Sequence, residues 1–189
     1  MFESMRTEFA VKMKSLLRVV SPRRFVRRED GAVAVEFGLV LLPFLAVMFA
    51  IMETALVFFA SQTLETAVAD SARLILTGQA QSQSLTAQTF KDAVCARIYG
   101  LFNCTSGVYV DVRKYTDFSS VSMAAPVDAN GNLVNNFVYQ PGGPGDIVVV
   151  RLIYQWPITI SLLGLNLSNM SGGNRLLVAT AAFKNEPYN

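Results

Sequence analysis

The hydrophobic pattern in the first third of the chain predicts one long helix with a membrane-spanning part. No charged residue occurs from Phe37 to Met52, and the apolar run resumes after Glu53. A membrane-spanning helix needs about 20 mostly apolar residues, and residues 37–60 supply that length. We therefore predict a transmembrane segment over residues 37–60, kinked at Pro43 because proline removes one helical hydrogen bond.

Beyond residue 60 the same helix is expected to continue with one apolar face. Apolar side chains recur there at helical spacing, and the charged side chains lie largely off that face. The apolar positions are Leu64, Ala67, Val68, Ala72 and Ile75. Gly78 provides a C-terminal stop, so we predict one helix from near Ala32 to near Thr77, within the segment 32–78.

Residues 79–189 predict a small α+β domain. A polar connector leads to a helix that Ser84 would cap and that would run to Gly100. Its apolar face carries Phe90, Val94 and Ile98. Three segments with alternating apolar residues then predict strands: VYVDVR, DIVVVRLIYQWP and RLLVATAAFK. One apolar face per strand favours an antiparallel sheet with a helix packed on one side.

The alternation also places charged residues on the other face of the sheet. Asp111, Arg113 and Arg151 point away from the apolar face, where solvated side chains are usual. Between the first two strands the chain is rich in turn residues, and Asn130-Gly131 is typical of a hairpin turn.

Charge is unevenly distributed along the chain, and this predicts an orientation in the membrane. The formal net charge is only +2, so no overall field favours nucleic acid as a partner. Basic residues outnumber acidic ones over residues 1–31, and the excess precedes the apolar run. The positive-inside rule therefore predicts a cytoplasmic N-terminus, with residues after about 60 on the outside.

A cleaved secretory signal peptide is the competing interpretation of this segment. Such a peptide has an apolar core of about 7–15 residues followed by a cleavage site with small residues. Here the apolar run is longer and no clear A-x-A site follows it, so the pattern favours a retained helix.

The residue inventory argues against catalysis and against a resident cofactor or metal. The chain has no histidine, which removes the commonest general base and metal ligand. No motif for nucleophilic catalysis is present, and the carboxylates of the domain lie at turn or strand-face positions. These are Asp111, Asp117, Asp128 and Asp146. We expect no catalytic residues, no metal ligands and no cofactor.

Cys95 and Cys104 enclose a short loop after the predicted second helix. In an oxidising compartment we expect them to form a disulfide, which would tie the end of that helix to the following loop. Two buried free thiols are the alternative. A metal site is disfavoured because two ligands without histidine do not complete a tetrahedral zinc site.

Glu36 stands at the front edge of the apolar run, five residues after Gly31. A carboxylate deep in a bilayer costs about 2.5–3.5 kcal/mol on insertion scales. Glu36 either lies at the level of the lipid headgroups, where this cost is small, or has a cationic partner that the leader hides. Glu53 raises the same question near the opposite interface.

The order of basic leader, Gly31, fifth-place Glu36 and apolar helix resembles the class III signal of type IV prepilins and pseudopilins. In that family a membrane prepilin peptidase cuts on the cytoplasmic side, here between Gly31 and Ala32. The resemblance implies a new ammonium group at Ala32 and a register or assembly role for Glu36 and Phe37. Phe37 departs from the pattern of tight-adherence signals, which often place Tyr after the Glu.

Three longer stretches are similar to the TadE/TadG-like family of tight-adherence (Flp) pilus assembly proteins. They are DGAVAVEFGLVLLPFLAVMFAIMETALVFFA, LETAVADSARLILTGQAQ and the ending RLLVATAAFKNEPYN. The resemblance implies a long pilin-like transmembrane helix followed by a small periplasmic α+β domain. It also implies a single-pass protein of the bacterial inner membrane that takes part in assembling adhesive pili.

The partners that this resemblance implies are a prepilin peptidase, other pilin and pseudopilin subunits, the inner-membrane assembly platform and the lipid bilayer. The alternative function is an unprocessed single-pass anchor that carries a periplasmic binding or sensing module. The N-terminus of the mature protein distinguishes these two functions.

Overall fold

A computed structural model of the chain describes residues 29–98, 100, 102–122, 124–159 and 166–188. The predicted basic leader over residues 1–31 lies outside these residues except for its last three positions. The chain divides into two compact units, residues 1–48 and residues 49–189.

Helix α1 spans Glu29–Leu76 and is 48 residues long. Its bounds confirm the single long helix predicted from near Ala32 to near Thr77. Gly78 follows with φ of +75°, a left-handed conformation that glycine adopts at low cost. A Cβ atom at this position would overlap the ring of Tyr188. Pro43 lies inside the helix, and the kink there stays a prediction.

Three antiparallel strands form the sheet of the second unit, which confirms the predicted α+β class. They are β1 (Val108–Tyr115), β2 (Ile147–Pro157) and β3 (Asn174–Lys184). The spatial order is β1-β2-β3, so β2 is the central strand. Val150 lies opposite Val112 on one side and opposite Ala181 on the other.

The second half of α1 supplies much of the core of this unit. Its buried residues recur three and four positions apart, which places them on one face of the helix. They include Val57, Ala60, Leu64, Ala67, Val68, Ala72 and Ile75, and they cluster with residues from all three strands. The predicted apolar face of the helix and the predicted apolar face of each strand are therefore confirmed.

Short helices connect α1 to the sheet. Helix α2 spans Gln79–Ser82, α3 spans Ala87–Cys95 and α4 spans Cys104–Gly107. Single 3₁₀ turns occur at Phe118–Ser120 and Ser171–Gly173. Phe90, Val94 and Ile98 are all buried, as their spacing predicted.

The predicted cap and end of the second helix were wrong. Thr86 is the N-cap of α3: its hydroxyl accepts from the Thr89 N–H, and the Thr89 hydroxyl accepts from the Thr86 N–H. Ser84 has φ of +50° and follows the last turn of α2, a position typical of a helix C-terminus. The helix also ends at Cys95 and does not continue to Gly100.

The face of the sheet opposite the helices is covered by another part of the chain. The prediction that the charged residues of this face are solvated was therefore wrong for those that are buried. Ile153 and Val149 on this face are buried, and so are Asp111 and Arg151. The covering chain is the segment between β1 and β2. Phe137 packs its ring 5.4 Å from that of Tyr109, and Val138 runs beside the edge of β1. The predicted turn at Asn130-Gly131 lies within this segment, where Gly131 has φ of +78°.

Candidate functional site

The predicted processing and assembly residues all lie at the N-terminal end of α1. Gly31 and Ala32 are in its first turn, and Glu36 and Phe37 are in the next two. Residues four apart share a face of a helix, so Ala32 and Glu36 lie on the same face. Glu36 is exposed, and it makes no ion pair or hydrogen bond with another described residue.

The helix surface that follows is apolar on every side. From Val33 to Phe49 most of its large apolar side chains are exposed to between 38% and 71%, while Leu41 and Leu45 are half-buried. Single exposed apolar residues are ordinary on a soluble protein, whereas a continuous surface of this kind marks contact with a membrane or another protein. Within the described residues, α1 is the one helix long and apolar enough to cross a membrane. This fits a single-pass membrane anchor.

Glu53 is buried and hydrogen-bonded, although it interrupts the apolar run. Only 5% of its surface is exposed. Its Oε1 atom accepts from the backbone N–H of Thr159 at 2.7 Å and from the Thr159 hydroxyl at 3.0 Å. Thr159 follows the end of β2, so this carboxylate joins α1 to the sheet of the second unit.

The sequence contained a signal for this position that hydropathy alone does not reveal. Glu53 lies three residues after Ala50 and four before Val57, both of which are buried. It therefore belongs to the same face of α1 as Leu64, eleven residues further on. Extending the apolar face backwards into the transmembrane segment would have placed Glu53 against the domain instead of in lipid.

Cys95 and Cys104 form a disulfide, as predicted for an oxidising compartment. Their Cα atoms are 5.6 Å apart. The bond joins the last residue of α3 to the first residue of α4, and α4 leads directly into β1. This pairing excludes both the free-thiol and the metal-site alternatives, and it fixes α3 to the start of the sheet.

Asp111 is the centre of a buried ionic network on the covered face of the sheet. Its Oδ2 atom lies 2.6 Å from Nη2 of Arg151 on the neighbouring strand and 2.9 Å from Nε of Arg113. Its Oδ1 atom accepts from the Val138 N–H at 3.0 Å. One carboxylate thus faces two guanidinium groups, which leaves an excess of one positive charge.

Two effects act in opposite directions on the pKa of Asp111. Burial raises it, because the charged form loses its hydration. The hydrogen bonds from the Val138 N–H and from the guanidiniums of Arg151 and Arg113, together with the Arg151 charge, outweigh burial and lower the pKa below the ordinary value. The carboxylate is therefore ionised at neutral pH, and its negative charge is compensated within the fold.

Asp117 and Asp128 have local roles, as their turn positions predicted. Asp117 accepts from the Ser120 N–H at 2.9 Å, and Asp128 accepts from the Asn132 N–H at 2.8 Å. In Asp117 the hydrogen bond from the Ser119 hydroxyl is the largest cause of a lowered pKa. The described residues contain no group of three or more metal-liganding side chains.

Comparison with known families gives a match to the first part of the chain. Residues 31–73 match the family model described as TadE-like protein. The resemblance to the TadE/TadG-like family is therefore confirmed over that segment, which begins at the predicted processing site. No curated protein and no solved structure matches the chain.

Proposed function

Because residues 31–73 match a family of Tad pilus-associated proteins, we propose that this chain is a membrane-anchored minor pilin or pseudopilin. It takes part in assembling tight-adherence (Flp, type IVb-like) pili after a prepilin peptidase cuts between Gly31 and Ala32. The TadE-like family is a structural family and not an enzyme class. The observation that carries the proposal is the exposed Glu36 carboxylate at the start of an apolar helix within the matched segment.

Cleavage would change the charge at this end of the helix. It creates an ammonium group at Ala32, where the partial positive charge of a helix N-terminus disfavours a cation. A Glu36 carboxylate from a neighbouring subunit would neutralise that ammonium. Two buried charges that are costly apart would then form a pair, and such a pair can fix the axial register of packed helices.

Gly31 suits the cleavage step because it has no side chain and little helix preference. Glycine is less favourable than alanine inside a helix by about 0.8–1.0 kcal/mol. The first turn of α1 therefore opens at small cost when the peptidase binds the chain. The part of α1 beyond the cut remains on the protein and serves as its assembly handle.

The basic residues before the helix support an inner-membrane protein with a cytoplasmic N-terminus and a periplasmic C-terminal domain. A disulfide between Cys95 and Cys104 accords with this location, because the periplasm is an oxidising compartment. The partners would be the peptidase, other pilin-type subunits and the inner-membrane platform. The alternative is an unprocessed anchor with a periplasmic binding or sensing domain. It would have the same membrane topology but would not be cleaved between Gly31 and Ala32.

The test is replacement of Glu36 by alanine in the native bacterium. We expect Glu36→Ala to insert into the membrane and to be cut normally, but to be incorporated poorly into pili. Glu65→Ala is the matched control, because Glu65 is an exposed carboxylate on the same helix. Pili are isolated by shearing, and the protein is quantified in pili and in membranes. Equal incorporation of the wild type and Glu36→Ala would contradict the assembly role.

A further inference from the structure

A pocket of about 240 Å³ opens on the covered face of the sheet, beside the Asp111 network. Strand β1 contributes Arg113 and Tyr115, and β2 contributes Arg151. The segment between these strands provides the remaining wall, which includes Val127, Val134 and the polar residue Asn136. All of these residues belong to the second unit of the chain.

The ionic groups at this pocket carry one uncompensated positive charge. Asp111 is fully buried and neutralises one of the two guanidiniums, whereas 29% of the Arg113 side chain is exposed. The Arg151 guanidinium makes its hydrogen bonds within the fold. Its Nη2 donates to Asp111, and its Nη1 donates to the carbonyl oxygen of Ala124 at 2.9 Å. The accessible positive charge of the pocket therefore belongs to Arg113.

Several hydrogen-bond donors of the pocket have no acceptor among the described residues. Arg113 uses Nε for Asp111 and Nη2 for the carbonyl oxygen of Asn136 at 2.7 Å, and its Nη1 makes no such bond. The hydroxyl groups of Tyr115 and Ser122 also make no hydrogen bond within that part of the chain. A positively charged pocket with unused donors is suited to an anion.

We propose that this pocket binds a carboxylate, with Arg113 as its principal ligand. A singly charged carboxylate neutralises the one excess charge, whereas a doubly charged phosphate or sulfate would leave the buried network with a negative excess. Val127 and Val134 offer apolar contact to the methylene groups that carry the carboxylate. The carboxylate comes either from an acidic side chain of a partner protein or from a small free acid, and the two sources share this chemistry.

The experiment is an NMR titration of the full-length chain in uncharged maltoside micelles. The observed signals are the Arg113 Nε–Hε group and the Tyr115 backbone amide. The added probes are acetate, acetyl-Ala-Glu-Ala-amide, the corresponding peptide with Gln, and sulfate, at an ionic strength held constant with chloride. We expect saturable shifts with acetate and the Glu peptide, and none with the Gln peptide.

Two variants of equal charge make the assignment specific. Arg113→Gln should weaken binding of the Glu peptide by at least about tenfold, because a hydrogen bond to a charged group is lost. Asp111 and Arg151 remain paired in this variant, and the Val138 amide signal reports whether the fold is retained. Lys114→Gln removes the same charge from the neighbouring exposed position and should leave binding unchanged.

The relative affinities of the probes distinguish the source of the carboxylate. Tighter binding of the Glu peptide than of acetate indicates an acidic side chain of a partner, and equal binding indicates a small free acid. Three outcomes would overturn the proposal: no saturable shift, an identical shift with the Gln peptide, or a preference for sulfate. Unchanged binding in Arg113→Gln with the fold intact would also overturn it. None of these outcomes bears on cleavage at Gly31.

Discussion

Three carboxylates of this chain lie in places where an unpaired charge is costly, and their surroundings differ. Asp111 is buried between two guanidiniums, and Glu53 is buried against Thr159. Glu36 is exposed at the start of the apolar helix and has no partner among the described residues. A buried charge must be paired or hydrogen-bonded, so the fold itself supplies the partners of the first two. Under the proposed function, a neighbouring subunit supplies the partner of Glu36.

The Asp111 network predicts a specific pH dependence of stability. Removing one partner of a buried ion pair costs about 3–5 kcal/mol, so Asp111→Asn should lower the free energy of unfolding by that amount at neutral pH. As the pH falls below the ordinary pKa of 3.8, the unfolded chain takes up a proton while folded Asp111 stays ionised. The wild type then loses the stability that this carboxylate contributes.

The measurement is urea unfolding of the wild type and Asp111→Asn between pH 7 and pH 3, in the same micelles. The difference in free energy of unfolding between the two proteins should be constant above about pH 5, where Asp111 is ionised in both the folded and the unfolded wild type. It should narrow as the pH falls further. A difference that is the same at pH 3 and at pH 7 would contradict a lowered pKa for Asp111.

At the scale of elements, helix α1 combines two surfaces that sequence patterns usually assign to separate segments. From Phe37 to Phe49 it is apolar all round, and from Ala50 one face packs in the core while other faces stay exposed. The two patterns overlap between residues 50 and 60. Hydropathy predicted the span there and periodicity predicted the packed face further on. In residues 50–60, which include Glu53, both patterns are present, and neither pattern alone predicts that Glu53 is buried.

The contact between Glu53 and Thr159 should stabilise the packing of α1 against the end of β2. In Glu53→Ala the Thr159 N–H loses its carboxylate acceptor, and a hydrogen bond to a charged group is worth about 1.5–3 kcal/mol. We expect a lower free energy of unfolding and faster hydrogen exchange at the Thr159 amide. Urea unfolding can be followed by fluorescence of Trp156, the single tryptophan of the chain.

Glu65→Ala is the control for this experiment, because Glu65 is exposed on the same helix. It should leave both the unfolding midpoint and the Thr159 exchange rate unchanged. If Glu53→Ala behaves like Glu65→Ala in both measurements, the contact does not stabilise the second unit.

The disulfide is the second connection between elements, and its contribution can be measured directly. Closing a loop with a sequence separation of 9 is worth about 2–3 kcal/mol on the chain-entropy model. Replacing both Cys95 and Cys104 by serine should lower the free energy of unfolding by that amount. A reductant should shift the wild-type midpoint in the same direction and leave the double variant unaffected. A wild-type midpoint insensitive to full reduction would contradict this role.

At the scale of the whole molecule, the sequence predicted the parts of the fold that depend on periodic patterns. These are the long helix, the three antiparallel strands and the apolar faces that meet in the core. It did not predict the cover on the far side of the sheet. The segment between β1 and β2 has no periodic pattern, and its contacts depend on single pairs such as Tyr109 with Phe137.

The candidate site residues divide in the same way, into those predicted from spacing along the chain and those that depend on tertiary contacts. The predictions for Gly31 and Glu36 rest on a spacing along the chain, which needs no tertiary information. Arg151 and Asp111 meet across two strands whose register is set by the whole sheet. Alternation alone placed both on the polar face and gave no reason to bury them. The pocket beside Arg113 could therefore be recognised only once the covering segment was in place.

Under the proposed function, the mature protein begins at Ala32. The most direct measurement is the mass of the N-terminal peptide of the chain purified from its native membrane, for the wild type and for two variants. We expect the wild type to begin at Ala32, and Gly31→Leu to retain the leader because its side chain blocks the cut. Gly38→Leu is the control: its added side chain meets open space on the same helix, so its leader should still be removed. A wild-type protein found assembled in pili with Met1 or any other part of the leader still attached would contradict the account.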